Sequence, residues 1–270
     1  MTGHCDSIGA ACNLEVGHRR PALSGIDRPL YVTIRSVPLS ALSSATLETS
    51  FLTSCRNEWW IVALMRMYAA SSISVPVISS ERFASIPTIQ EEPHLWPMEI
   101  HTPRLFPEGA DMRSVDIAEL EWLRDNWYDA AVLLGHEDFS LAFQAVDSSV
   151  WNHSPALALL AVWGALERLL SPSQAELSFR VSANIATFLE PPGRDRYTCF
   201  KKVKGLYDNR SKAAHGSGDE DLMPYAETYA IARRVLLKMI QTRHVPNKQE
   251  LEANLFGDVV GISGGSSAKQ

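Results

Sequence analysis

The chain has 270 residues, 46% of them hydrophobic and 21% charged, with a formal net charge of −6. This is enough apolar material for a buried core and excludes a wholly disordered chain, while the acidic balance excludes a surface that tracks nucleic acid over its whole extent. Four scattered cysteines (Cys5, Cys12, Cys55 and Cys199) make no paired spacing, which fits a reducing compartment rather than a disulfide scaffold.

Residues 1–26 read as a flexible N-terminus without the basic start and apolar stretch of a signal peptide. His4, Cys5, Cys12 and His18 within it match no common zinc spacing. Residues 27–110 read as a mixed or β-rich region. In RPLYVTIRSV (28–37), Leu30, Val32 and Ile34 alternate with Tyr31, Thr33 and Arg35, the period of a half-buried strand. SISVPVI (72–78) reads as a strand at a sheet edge, because Pro76 has no amide hydrogen to donate. WWIVALMRMY (59–68) suits a buried strand or a helix equally, and periodicity does not separate them. Five prolines between 87 and 107 mark a linker or an extended wrap.

From 111 to 244 the pattern is that of a helical bundle, so the fold class expected is α+β: an all-α C-terminal bundle after a small mixed region. Ser114 serves as the expected cap of a first helix that stops at Gly135, with Leu123, Trp127, Ala131 and Leu134 as its stripe. Phe139, Ala142, Phe143, Val146 and Val150 define a second helix. Ser154-Pro155 opens a third, whose run Ala156–Leu166 is apolar on every side until Glu167 and is therefore the expected centre of the bundle. Ser173 and Glu176 form a capping-box pattern ahead of a fourth helix, stopped by Pro191-Pro192. Leu222, Tyr225, Tyr229, Leu236 and Met239 line one face of the last helix. Residues 245–270 read as a flexible tail, and no apolar run is long enough to span a bilayer, so a cytoplasmic protein is expected. His136, His153 and His244 have no evident partner, and Trp59, Trp60 and Trp163 read as core.

The chemistry concentrates in one stretch, YDNRSKAAHG (207–216). Between residues 191 and 215 stand Arg194, Arg196, Lys201, Lys202, Lys204, Arg210 and Lys212 against only Asp195 and Asp208. Such a local basic patch in an acidic chain suits a phosphate-bearing ligand, with Lys201, Lys202, Lys204 and Lys212 as candidate phosphate contacts. Arg210 continues the inward stripe of Phe200, Val203 and Tyr207, where a charge needs a partner, and Glu167 is the obvious one. His215 lies at a helix end marked by Gly216, where the helix dipole favours its protonated form.

LYDNRSKAAHG resembles the R-x4-6-H motif of the HEPN superfamily in the form carried by its Apea-like branch. AVWGALERLL and AELSFRVSANIATFLE upstream resemble the two helices that precede it in that branch, so the likeness covers roughly 115–243. The resemblance implies a helical bundle that dimerises with the two motifs face to face, and in many members a metal-independent ribonuclease of the kind used in prokaryotic defence or stress response. By that analogy Arg210 and His215 are the catalytic pair: His215 acts as acid or base, and Arg210 neutralises charge on the transferred phosphate. Tyr207, Glu167 and Ser211 stand as supporting residues. Many nucleolytic relatives carry Asn, Asp or His where this chain has Ser211, whose hydroxyl can bond a phosphate but brings no charge. Residues five apart on an ideal helix point about 140° away from each other. Arg210 and His215 therefore meet at one phosphate only if the helix end unwinds or a second subunit completes the site. Two functions are carried forward: an RNA-cleaving effector, and a non-catalytic dimer that binds RNA, a nucleotide or a regulatory protein partner. No metal or other cofactor is expected in either.

Overall fold

In the computed structural model the described residues are 13–16, 32–35, 60–70, scattered positions from 73 to 99, Leu105, 115–171, 176–214 and 221–257. The chain forms two compact units, one of residues 1–63 with 75–100 and the other of 64–74 with 101–270. His4, Cys5, Cys12, His18, Trp59, Ser114, Ser173, His215 and Gly216 lie outside the described residues.

In the first unit β1 (Asn13–Val16) pairs antiparallel with β2 (Val32–Arg35), Leu14 opposite Ile34. A second antiparallel pair joins β3 (Val77–Ser79) to β4 (Leu95–Pro97). The strand read at 72–78 thus begins only after Pro76, whose missing donor would interrupt the ladder. Glu99 closes the base of this hairpin twice over. Its carboxylate accepts the Val75 amide at 2.6 Å, and its own amide donates to the Val75 carbonyl at 3.0 Å.

Residues 60–69 are helical (α1), which resolves the ambiguous WWIVALMRMY segment, and Ala70 ends the helix in a left-handed conformation. From Leu64 onward α1 belongs to the helical unit. That unit continues with α2 (Ile117–Leu133), α3 (Glu137–Ser149), α4 (Pro155–Leu170), α5 (Leu177–Leu189), α6 (Arg194–Ala214), α7 (Met223–Thr242) and α8 (Lys248–Leu255). A helical bundle over the C-terminal half is therefore the architecture. No described helix is long and apolar enough to cross a membrane.

Helix α4 packs against α3, α5, α6 and α7, so the apolar run does form the centre. Leu159, Val162, Trp163, Leu166 and Leu170 are all buried, although Leu157 faces outward. All five positions expected on α3, from Phe139 to Val150, are buried. On α7 Tyr225, Tyr229, Leu236 and Met239 are buried, and burial pushes both phenols up in pKa. Tyr225 and Ser149 share a hydrogen bond at 2.9 Å between α7 and α3.

Several local expectations shift. Helix α2 is capped by Asp116, not Ser114: its carboxylate accepts the Glu119 amide at 2.8 Å and Glu119 reciprocates, a complete capping box. The buried face of α2 is Leu123, Ala130 and Leu133, one residue off the expected stripe after Leu123. Glu176 stands at the N-cap of α5 in a left-handed conformation with no side-chain cap, instead of at the third helical position. The tail expected from 245 is helical over 248–255, because Asn247 and Glu250 form a second capping box. His244 has a partner after all, its Nε2 lying 2.8 Å from the Glu250 carboxylate.

Arginines close the helix ends. Arg233 donates to the carbonyls of Met67 and Tyr68, satisfying the last turn of α1. At the end of α5, Arg196 donates to Glu190 O at 2.9 Å and Lys238 to Leu189 O at 3.3 Å, while Arg234 pairs with the Glu190 carboxylate at 2.6 Å. Cations collected at a helix C-terminus complement its partial negative charge.

Candidate functional site: the arginine of helix α6

Helix α6 folds as its periodicity requires, with Val203, Leu206 and Tyr207 buried against the bundle. Trp163 of α4 meets the Tyr207 ring edge-to-face at 5.0 Å. One turn further on, Arg210 falls on the same side and stacks its guanidinium 5.5 Å over the Tyr207 ring. Its charge is answered from α4 by Glu167, the first acid after the apolar run. Arg210 Nε lies 3.2 Å from Glu167 Oε1, and Nη2 donates to Oε2 at 3.4 Å.

This pair is loose. The 3.2 Å approach is not aligned as a hydrogen bond, so both atoms lack one, and the single bond formed is at the long limit for its class. The arginine side chain keeps 30% of its surface open to solvent, against 18% for Glu167. Its remaining nitrogen, Nη1, makes no hydrogen bond among the described residues. Burial raises the Tyr207 pKa, and the adjacent Glu167 carboxylate adds to the rise, so the phenol stays a neutral donor near neutral pH. Ser211 donates its hydroxyl back to the Tyr207 carbonyl at 3.4 Å. The result is a guanidinium steadied on one edge and open on the other, in the last turn and a half of a helix that ends at Ala214. His215 follows directly in sequence, outside the described residues.

The candidate phosphate contacts divide. Lys202 is paired with Glu227 of α7 at 3.1 Å, which ties it to the bundle. Lys201 lies 4.7 Å over the Tyr197 ring. Lys204 lines a shallow surface groove with Glu176, Leu177, Ser178 and Phe179. Lys212 is exposed. Sequence reasoning passed over Tyr197 and Phe179. The signal for the first was present, since Tyr197 and Lys201 stand at i and i+4 on one helix face. The second depends on how α5 lies beside α6, where Phe179 meets Phe200 edge-to-face at 5.6 Å, and no local pattern reports that.

Other reactive groups are unpromising. Burial pushes the Cys199 thiol up, away from the thiolate a nucleophile needs. Among the described residues no group of three or more His, Cys, Asp or Glu could hold a metal ion. No protein-family model, no curated protein and no solved structure matches this chain.

Proposed function

We propose that the protein is a HEPN-type endoribonuclease of the Apea-like branch, acting on RNA without a metal from the Arg210–His215 motif. The observation that carries this reading is the half-open guanidinium of Arg210, anchored by Glu167 inside a basic segment of an acidic chain. A purely structural arginine would spend its donors on the protein. This one keeps an edge toward solvent, where a phosphate oxygen can take it.

The chemistry balances with few parts. The RNA 2′-hydroxyl oxygen attacks phosphorus, the bond to the 5′ oxygen breaks, and the products are a 2′,3′-cyclic phosphate and a free 5′-hydroxyl. One proton leaves the 2′-hydroxyl and one reaches the departing oxygen, and His215 serves one of these transfers. Arg210 holds the negative charge that accumulates on the phosphoryl oxygens. In this proposal two chains pair as a homodimer through the bundle, placing two motifs across a twofold axis, so a partner can supply the histidine that one helix cannot bring beside its own arginine. The N-terminal region serves as sensor or regulator for a cytoplasmic defence or stress effector.

Cleavage of labelled total RNA should persist in EDTA, leave a 2′,3′-cyclic phosphate, and fail on DNA and on 2′-O-methyl RNA. His215→Ala should lower the rate by about 100-fold or more, the usual scale for losing a general acid or base. Light scattering at tens of micromolar should give a dimer. A second reading, a non-catalytic HEPN dimer that binds RNA, a nucleotide or a protein, draws on Ser211, whose hydroxyl bonds the helix backbone where nucleolytic relatives carry Asn, Asp or His. Wild type that cleaves no RNA, with His215→Ala binding RNA equally well, selects that second reading.

A further inference from the structure

Two aromatic rings beside the basic segment stay out of the core. Tyr197 is 61% exposed and Phe179 is 54% exposed. On α6, Arg194, Tyr197, Lys201, Lys204, Asp208 and Lys212 recur at spacings of three and four and are all exposed, so they share the outer face of the helix. Lys201 sits over the Tyr197 ring, while Phe179 rests edge-on against Phe200 and lines the groove with Lys204. The face thus sets two rings among four cations, Arg194, Lys201, Lys204 and Lys212, against two acids, Asp208 on α6 and Glu176 in the groove.

We infer that this face is a stacking track for single-stranded RNA, with bases laid on Tyr197 and Phe179 and phosphates held by Lys201 and Lys204. The inference rests on the RNA reading above and adds the form of the substrate. Base-on-ring stacking needs unpaired bases, because a duplex keeps its base faces inside the helix. It is tolerant of sequence, since every base has a π-face. Charge selects the occupant. A twofold contact between two copies through this face would set a lysine-rich surface against itself, which like charge disfavours. A polyanion gains from the same lysines. Lys202 is excluded from the track by its pairing with Glu227.

The test measures binding apart from cleavage. The full chain carrying His215→Ala is titrated with a labelled oligoadenylate of about 12 nucleotides, within the span of one stacking surface. Adding Tyr197→Ala or Phe179→Ala should each weaken binding by about 10-fold, whereas Tyr197→Phe, which keeps the ring, should retain it. Lys201→Ala and Lys204→Ala should each flatten the slope of log K against log salt by about 0.7, and Lys202→Ala should leave it unchanged. Melting curves of the variants confirm that the fold survives, both rings being at the surface. Unchanged binding in both alanine variants, tighter binding to the matching duplex, or no binding by the parent overturns the track. So does a change of mass in light scattering without a change in RNA affinity, which would mark the face as a contact between copies. The two readings fail separately. Wild type that cleaves nothing while the aromatic variants lose binding removes the nuclease and keeps the track, and intact cleavage with normal binding by both variants does the reverse.

Discussion

Two of the arginine–carboxylate pairs that join helices in the helical unit are built in opposite ways. Arg66 of α1 and Asp147 of α3 are sealed, at 1% and 2% side-chain exposure, with Nε 3.1 Å from Oδ1. Arg66 also donates to the Ile73 carbonyl at 3.1 Å and stacks 5.8 Å from the Trp151 ring. Arg210 and Glu167 are half open, at 30% and 18% side-chain exposure, so the two pairs differ in burial and not in Nε–O distance, which is 3.2 Å here. One arginine is consumed by the fold, and the other is only steadied by it. Burying an ion pair brings desolvation costs that good geometry must repay, so a sealed pair signals architecture and an open one leaves donors for a ligand.

The largest effect should come from breaking the sealed pair. Asp147→Ala leaves a buried guanidinium uncompensated and should cost about 3–5 kcal/mol, much of a total on the order of 10 kcal/mol. Urea unfolding should show it directly, and replacing both partners by apolar residues of similar volume (Arg66→Met with Asp147→Leu) should restore most of the loss. If Asp147→Ala instead melts like wild type, the two pairs do not differ as described.

Breaking the open pair should cost far less stability. Glu167→Gln should lower it by about 1 kcal/mol, near the upper end for solvent-screened pairs. It should also lower RNA cleavage, since Arg210 loses its anchor. A Glu167→Gln protein that unfolds as severely as Asp147→Ala would make Arg210 another architectural residue.

An alkaline titration separates the helices by their phenols. Tyr207, Tyr225 and Tyr229 all have raised pKa values, chiefly through burial. A folded-state pKa above the unfolded value contributes stability that is present below the unfolded pKa, near 10, and is lost as pH rises through the folded one. The protein should therefore lose stability above about pH 10, with Tyr225 and Tyr229, two of its seven tyrosines, ionising only as it unfolds. Ultraviolet absorbance of phenolate against pH checks this, and seven phenols titrating together in the folded state would contradict it.

The smallest effect belongs to the surface. Arg168 bridges Glu137 at 3.3 Å and Asp138 at 2.8 Å with all three side chains well exposed, and Arg168→Ala should change stability by about 1 kcal/mol or less.

These pairs also mark what could be read from the chain. The Glu167–Arg210 pairing was legible because each charge interrupts an apolar pattern, the one closing the α4 run and the other continuing the α6 stripe. The centre of the bundle was legible for the same reason, and Ser154-Pro155 dated its start. Arg66–Asp147 was not, because Arg66 sits in an apolar segment that suits strand or helix, and Asp147 is 81 positions away on an unremarked face of α3. The Asn247–Glu250 capping box was written in the chain but stands just inside what composition marks as tail. The one-residue rotation of α2 arises from packing, since Trp122 stacks on Tyr68 of α1 at 3.8 Å and turns the helix toward it.

The central claim is that Arg210 serves a phosphate and is not merely a strut. Single-turnover cleavage of a labelled RNA in EDTA by Arg210→Ala, run beside its urea unfolding curve, tests it most directly. The account predicts a rate lowered by about 100-fold with stability within about 1–2 kcal/mol of wild type. Cleavage at the wild-type rate by a folded Arg210→Ala protein, or a lost rate fully matched by lost folding, would contradict it.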